Sequence, residues 1–124
     1  MPELIESPVL IPVPGGKQIA EYVGRVRTND SAASLAHMVA PAGWSEPAQT
    51  PDFDEMTLVL KGVVRVESGG AVIDVPAGQA IITRAGETIR YSVPPEAETG
   101  FDSTEYVAVC LPAFAPELAH RADE

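Results

Sequence analysis

Ten glycines and twelve prolines cut this chain of 124 residues into short apolar runs. Runs of that length, bounded by turn formers, suit strands and are too short for ordinary helices. Residues 18–25 read as a first strand, Asn29-Asp30 as a turn, and SLAHMVA (34–40) as a strand entering Pro41-Ala42-Gly43. Residues 56–60 are apolar, Gly62 turns the chain into the alternating run VVRVE, and Ser68-Gly69-Gly70 marks a hairpin before AVIDV returns. Pro76-Ala77-Gly78 precedes AIIT, Ala85-Gly86 precedes TIRYSV, and EYVAVCL (105–111) is stopped by Pro112. Only residues 116–122 suit a helical turn. Evenly spaced short strands of this kind indicate a sandwich or small barrel.

The length supports one hydrophobic core, so a single domain is expected: an extended arm at 1–16, a barrel at 17–115 and a tail at 116–124. The formal net charge of −10 argues against nucleic acid or an anionic membrane surface as partner, since both need clustered Lys and Arg. One cysteine, Cys110, excludes an internal disulfide framework and points to a reducing cytoplasm. The first fourteen residues hold four prolines and no basic cluster, which fits neither a signal peptide nor a membrane span.

Two stretches carry a family resemblance. GWSEPAQTPDFDEMTLVLKG, from Gly43 to Gly62, resembles the first cupin motif, G-x5-H-x-H-x3-E-x6-G; Gln49 and Pro51 stand at the two histidines, and Glu55 keeps the glutamate. Gly70, Pro76 and Gly78 match the second motif, G-x5-P-x-G, and Gly86 matches a following glycine. The motif's last histidine falls on Ile89, or on Ile81 in its other form. The run F-D-E-x3-V-L-K-G and the terminal V-A-V-C-L-P-A-F are further similar to the ethanolamine-utilisation subgroup of bacterial cupins, which also lacks the metal triad. That subgroup is associated with acetate kinase activity, but no Gly-rich phosphate cradle of the G-x4-G-K-S/T kind is present here. The resemblance implies an all-β fold, the cupin-type jelly-roll β-barrel or double-stranded β-helix.

In that family the glutamate points into the barrel. Period-two alternation then sends Thr57 and Val59 inward with Glu55, and Met56, Leu58 and Leu60 outward. Ile89 at the histidine position likewise sends Tyr91 inward. The expected cavity is lined by Gln49, Glu55, Thr57, Val59, Ile89 and Tyr91, with Trp44 at its mouth and His37 facing either way. Such a set offers one carboxylate and one amide oxygen where a tight transition-metal site needs three or four converging donors, so no metal and no cofactor is expected.

A carboxylate in an apolar barrel is costly, and burial raises its pKa toward the range of a general acid or base. Glu55 is therefore the candidate acid–base group and Tyr91 the candidate orienting group; a plain structural hydrogen bond between strands is the equal alternative. Gln49, Thr57, Val59, Ile89, Trp44 and His37 are the candidate ligand-binding residues. The expected partner is a small, mostly apolar metabolite, and whether Glu55 also catalyses a proton-transfer isomerisation, cyclisation or elimination on it stays open. A metal-dependent enzyme with an unusual ligand set and a non-catalytic partner-binding cupin remain alternatives. The uncovered row Met56, Leu58 and Leu60, with the proline-rich arm, points to a homodimer.

Overall fold

Glycines and prolines lie at or near the ends of most strands. The computed structural model describes residues 1–122, and among them nine strands run in the order β1 (Val9–Ile11), β2 (Gln18–Val23), β3 (Ser34–Pro41), β4 (Asp54–Lys61), β5 (Val63–Ser68), β6 (Ala71–Pro76), β7 (Ala80–Thr83), β8 (Ile89–Ser92) and β9 (Ser103–Leu111). Two single helical turns, α1 (Glu96–Thr99) and α2 (Pro116–Ala119), complete the secondary structure. The strands form two antiparallel sheets, a large one in the order β1-β2-β3-β9-β4-β7 and a small one in the order β6-β5-β8. This is the two-sheet barrel that the cupin resemblance implied. None of the described helices is long and apolar enough to cross a membrane.

Alternation sets the core. On β4 the burial pattern puts Glu55, Thr57 and Val59 inside and Met56, Leu58 and Leu60 outside, and on β9 Thr104, Tyr106, Ala108 and Cys110 point in. Val59, Val64, Val66, Ile89, Tyr91 and Tyr106 fill one half of the barrel, where the two sheets meet. The opposite half is held differently: Phe53 and Cys110 pack with Ala119, Leu118 and Phe114 from the tail, with the Phe53 and Phe114 rings edge-on at 5.7 Å.

The two ends of the chain wrap onto this barrel. Val9–Ile11 pairs with β2 (Val9↔Glu21, Ile11↔Ile19), so the arm, expected to be extended, supplies the edge strand of its own sheet. After α2 the tail runs beside residues 48–52: Ala122 N–H donates to the Ala48 carbonyl at 2.8 Å and Asp52 N–H to the Leu118 carbonyl at 2.9 Å. His120 Nε2 lies 2.6 Å from Asp52 Oδ2 across the same seam. The last two residues of the sequence-based tail, 123 and 124, lie outside the described residues.

Candidate functional site

Between the small core and the tail lies a cavity of about 290 Å³, at the lower edge of the roughly 300–1,000 Å³ usual for small-molecule sites. Its apolar wall comes from Ile11, Ile19, Ala36, Met38, Ala108 and Phe114. Glu55, Gln49, Glu46, Lys17 and Arg121 make the polar end. A vestibule of about 210 Å³ adjoins it, sharing Lys17, Glu46 and Arg121 and adding Trp44 and Ser45.

The placement of each sequence-predicted residue follows from its strand. Gln49 and Glu55 line the cavity and Trp44 its vestibule. Thr57, Val59, Ile89 and Tyr91 are buried, but in the packed half of the barrel and off the cavity wall. Tyr91 reaches toward the site through its hydroxyl, 2.7 Å from Thr83 Oγ1, and Thr83 is the register partner of Glu55. His37 is resolved to the outside: β3 turns Ser34, Ala36 and Ala40 inward, and the His37 imidazole lies 3.6 Å from Glu105 on the outer face. It is therefore removed from the cavity.

Three cavity residues escaped the sequence analysis. Lys17 follows the Gly15-Gly16 turn, whose φ angles of 85° and 79° favour glycine and lay the turn against the Trp44 indole. Its ammonium sits 4.3 Å from the Trp44 ring centroid and 5.3 Å from that of Tyr106. Glu46 enters from the segment between Gly43 and Gln49, which runs antiparallel to β8 through bridges Ser45↔Ser92 and Gln49↔Ile89. Arg121 arrives on the tail, bridged to Gln49, with Nε 3.4 Å from Gln49 Oε1 and a terminal nitrogen 3.5 Å from Glu46 Oε2. Of the three, only Glu46 lies inside a recognisable motif. Lys17 and Arg121 become neighbours by chain-end wrapping, which no local pattern encodes.

Burial dominates the electrostatics. It raises the Glu55 carboxyl to about 7, the Glu46 carboxylate adds to the rise, and the Lys17 ammonium, the Tyr91 hydroxyl and the Arg121 guanidinium oppose it. The same burial lowers Lys17 from the ordinary lysine value, against the pull of Glu46 and Glu55. Burial, and then the charge of Glu55, push the Tyr91 phenol and the Cys110 thiol up, so neither ionises near neutrality. The Glu55 carboxyl, its pKa raised to about 7, thus shares a cavity wall with Glu46, Lys17 and Arg121.

The donor set does not suit the divalent metal that many proteins with these motifs hold. Glu55 is the single acidic or imidazole donor at the motif positions, Gln49 turns its amide oxygen to Arg121, and Ile89 is packed in the core. No cluster of three His, Cys, Asp or Glu side chains arranged for a metal occurs among the described residues.

No family model matches the chain. A curated protein of Myxococcus xanthus named endoribonuclease YbeY is 42% identical over 111 residues, which is 90% of this chain and 36% of that protein. The chain thus spans about a third of that relative, and the activity in its name is a statement about the longer protein. Among solved structures, the ethanolamine utilization protein Q of Salmonella typhimurium is similar at TM-score 0.59 and 20% identity, over 79% of this chain and 71% of that one. KdgF from Halomonas reaches TM-score 0.69 at 14% identity, over 89% and 91% of the two chains. An RmlC-like cupin from Shewanella frigidimarina reaches 0.70 at 12% identity, over 90% and 89%. At these identities the likeness concerns architecture, and it agrees with the strand order, the two sheets and the retained motif glycines: the chain has the fold of the cupin superfamily.

Proposed function

We propose that this protein is a metal-independent cupin that binds a small, mostly apolar metabolite in the Glu55 cavity and catalyses a proton transfer on it, with Glu55 as the acid–base group. The observation that carries the reading is a buried carboxyl on a cavity wall whose pKa is raised to about 7. At that value the protonated and ionised forms are both populated near neutrality, so one group can take a proton and return it. Tyr91, whose hydroxyl is 2.7 Å from Thr83 Oγ1, acts on the carboxyl through its own hydroxyl, which favours the ionised form. The apolar wall excludes water and strengthens the local charges. Isomerisation, cyclisation and elimination all need such a shuttle and no redox cofactor. RNA cleavage, suggested by the name of the bacterial relative, has less support, because a net charge of −10 repels a polyanion.

The test is exchange of a substrate C–H proton. A panel of small carbonyl compounds with acidic C–H bonds is incubated with the protein in heavy water and followed by NMR. Deuterium incorporation into at least one compound, lost on Glu55→Gln while ligand affinity changes less, is the expected result. Exchange that persists unchanged in Glu55→Gln removes Glu55 from the chemistry. A panel with neither binding nor exchange removes the ligand-site reading itself.

We also place the protein in a reducing cytoplasm as a homodimer. The single cysteine is free and buried, which suits a reducing compartment. The outer face of the large sheet supports pairing, since Met56, Leu58, Leu60 and Ile82 are 37–50% exposed on it.

A further inference from the structure

The eight Lys and Arg residues of this acidic chain are scarce, yet two of them, Lys17 and Arg121, converge on one small cavity from opposite ends of the sequence. Neither is firmly matched there. Lys17 Nζ makes no ion pair and no hydrogen bond among the described residues; aromatic faces alone hold its three donors, and a π face satisfies an ammonium less well than an anion does. Arg121 reaches Gln49 and Glu46 only at 3.4 and 3.5 Å, the long limit of hydrogen bonding. The nearby acids do not answer for them. Glu21 gives its carboxylate to the Val26 and Arg27 amides at 3.0 and 2.9 Å, and Glu46 is already shared with Arg121. Glu55 carries a full charge only above neutrality.

We infer that Lys17 and Arg121 form an anion-holding end of this cavity, and that its ligand is a small apolar carboxylic acid, bound as the carboxylate with its hydrocarbon part against Ile19, Ala36, Met38, Ala108 and Phe114. The inference rests on the cavity being a ligand site, as proposed above, and names the class of molecule it takes. A carboxylate fits better than a phosphate ester. Two side-chain cations can hold two oxygens, and a mostly apolar cavity of about 290 Å³ leaves little room for a solvated dianion. Binding this way gives Lys17 its first anionic partner and Arg121 a shorter, charge-assisted hydrogen bond than those it makes to Gln49 and Glu46. It also brings the carboxyl end of the acid to the end of the cavity that holds Glu55.

Trp44, the single tryptophan, lies under Lys17 in the vestibule and gives a fluorescence signal for occupancy. Hexanoate and phenylacetate are titrated against hexanamide, phenylacetamide and phenyl phosphate, by Trp44 fluorescence and by calorimetry. The carboxylates are expected to bind at least about tenfold more tightly than the matched amides and the phosphate. Lys17→Met, which keeps the apolar stem, and Arg121→Gln are each expected to lose most of that preference. Amides that bind as well as carboxylates overturn the anion end and leave the ligand site standing. Phosphate preference overturns the carboxylate assignment. Carboxylate affinity unchanged in a folded Lys17→Met or Arg121→Gln overturns the roles given to them, and should Lys17→Met fail to fold, Arg121→Gln decides alone. Failure of every probe overturns this inference together with the ligand site.

Discussion

Glu55 is the residue at which folding and chemistry oppose each other. Its carboxyl stands at about 7 in the folded barrel against an ordinary 4.5, with burial as the main cause. A raised carboxyl pKa means that the folded state prefers the protonated form, so its contribution is fully present below pH 4.5 and is lost as pH rises toward 7. At about 1.4 kcal/mol per pH unit this amounts to about 3 kcal/mol across that window. Glu55→Gln keeps shape and removes the charge. Its stability measured by urea unfolding is expected to match the parent near pH 4.5 and to exceed it by up to about 3 kcal/mol at pH 8. A variant whose stability tracks the parent at every pH would show that Glu55 carries no burial penalty. The motif made the position of this residue legible in the sequence, because a glutamate seven residues before Gly62 has one orientation in a cupin strand. Its charged neighbours were not legible: Lys17 and Arg121 are brought to it by a glycine turn and by the tail.

Strands and turns were read more completely than site residues, since glycine spacing and period-two alternation act locally. Eight of the nine strands fall on runs visible in the sequence; β1 was hidden because Pro8 and Pro12 bracket three residues whose pairing partner, β2, decides their state. Gly62 shows why one glycine can fix an architecture. It joins β4 of the large sheet to β5 of the small one with φ at 81°, and a Cβ there would overlap the Thr104 hydroxyl, which itself bonds both the Val63 N–H and carbonyl at 3.1 Å. Gly69, in the β5–β6 hairpin, also has a positive φ of 56°, but nothing lies near its added Cβ. Gly62→Ala is therefore expected to cost about 3 kcal/mol or more, and Gly69→Ala about 1 kcal/mol. Chemical denaturation of both variants decides the point, and equal losses would refute the role given to the Thr104 contact. Thr57 supplies the opposite case on the same strand. Its buried hydroxyl has no hydrogen-bond partner among the described residues, so Thr57→Val should stabilise the barrel by about 1 kcal/mol in the same measurement, and a loss would show that the hydroxyl is satisfied.

At the scale of the whole molecule, one surface is out of keeping with a net charge of −10. In the large sheet Leu35 lies opposite Val109, Val109 opposite Met56, and Met56 opposite Ile82, so an apolar ridge crosses four strands without interruption. Leu58 and Val107 lie opposite each other on the same face, and the arm, which pairs at the far edge through β1, leaves Leu58 45% exposed. The rows continue from strand to strand because outward residues of paired strands share one face; the sequence showed the β4 row alone, since which strands flank β4 is set by the sheet order. Side chains at 37–50% exposure in a contiguous patch gain most from a second apolar surface, and a copy of the same chain offers one by a two-fold rotation, back to back. A stable pair of this kind needs about 800 Å² from each partner, which a face of four strands can supply. Light scattering at micromolar concentration is expected to give twice the 13.1 kDa chain mass for the parent protein. Leu58→Lys, at the centre of the face, is expected to give the single-chain mass with the fold kept by circular dichroism, because two like charges would meet near the two-fold axis. A parent protein that scatters as a single chain, or a Leu58→Lys variant that remains a dimer, would move the interface elsewhere or remove it.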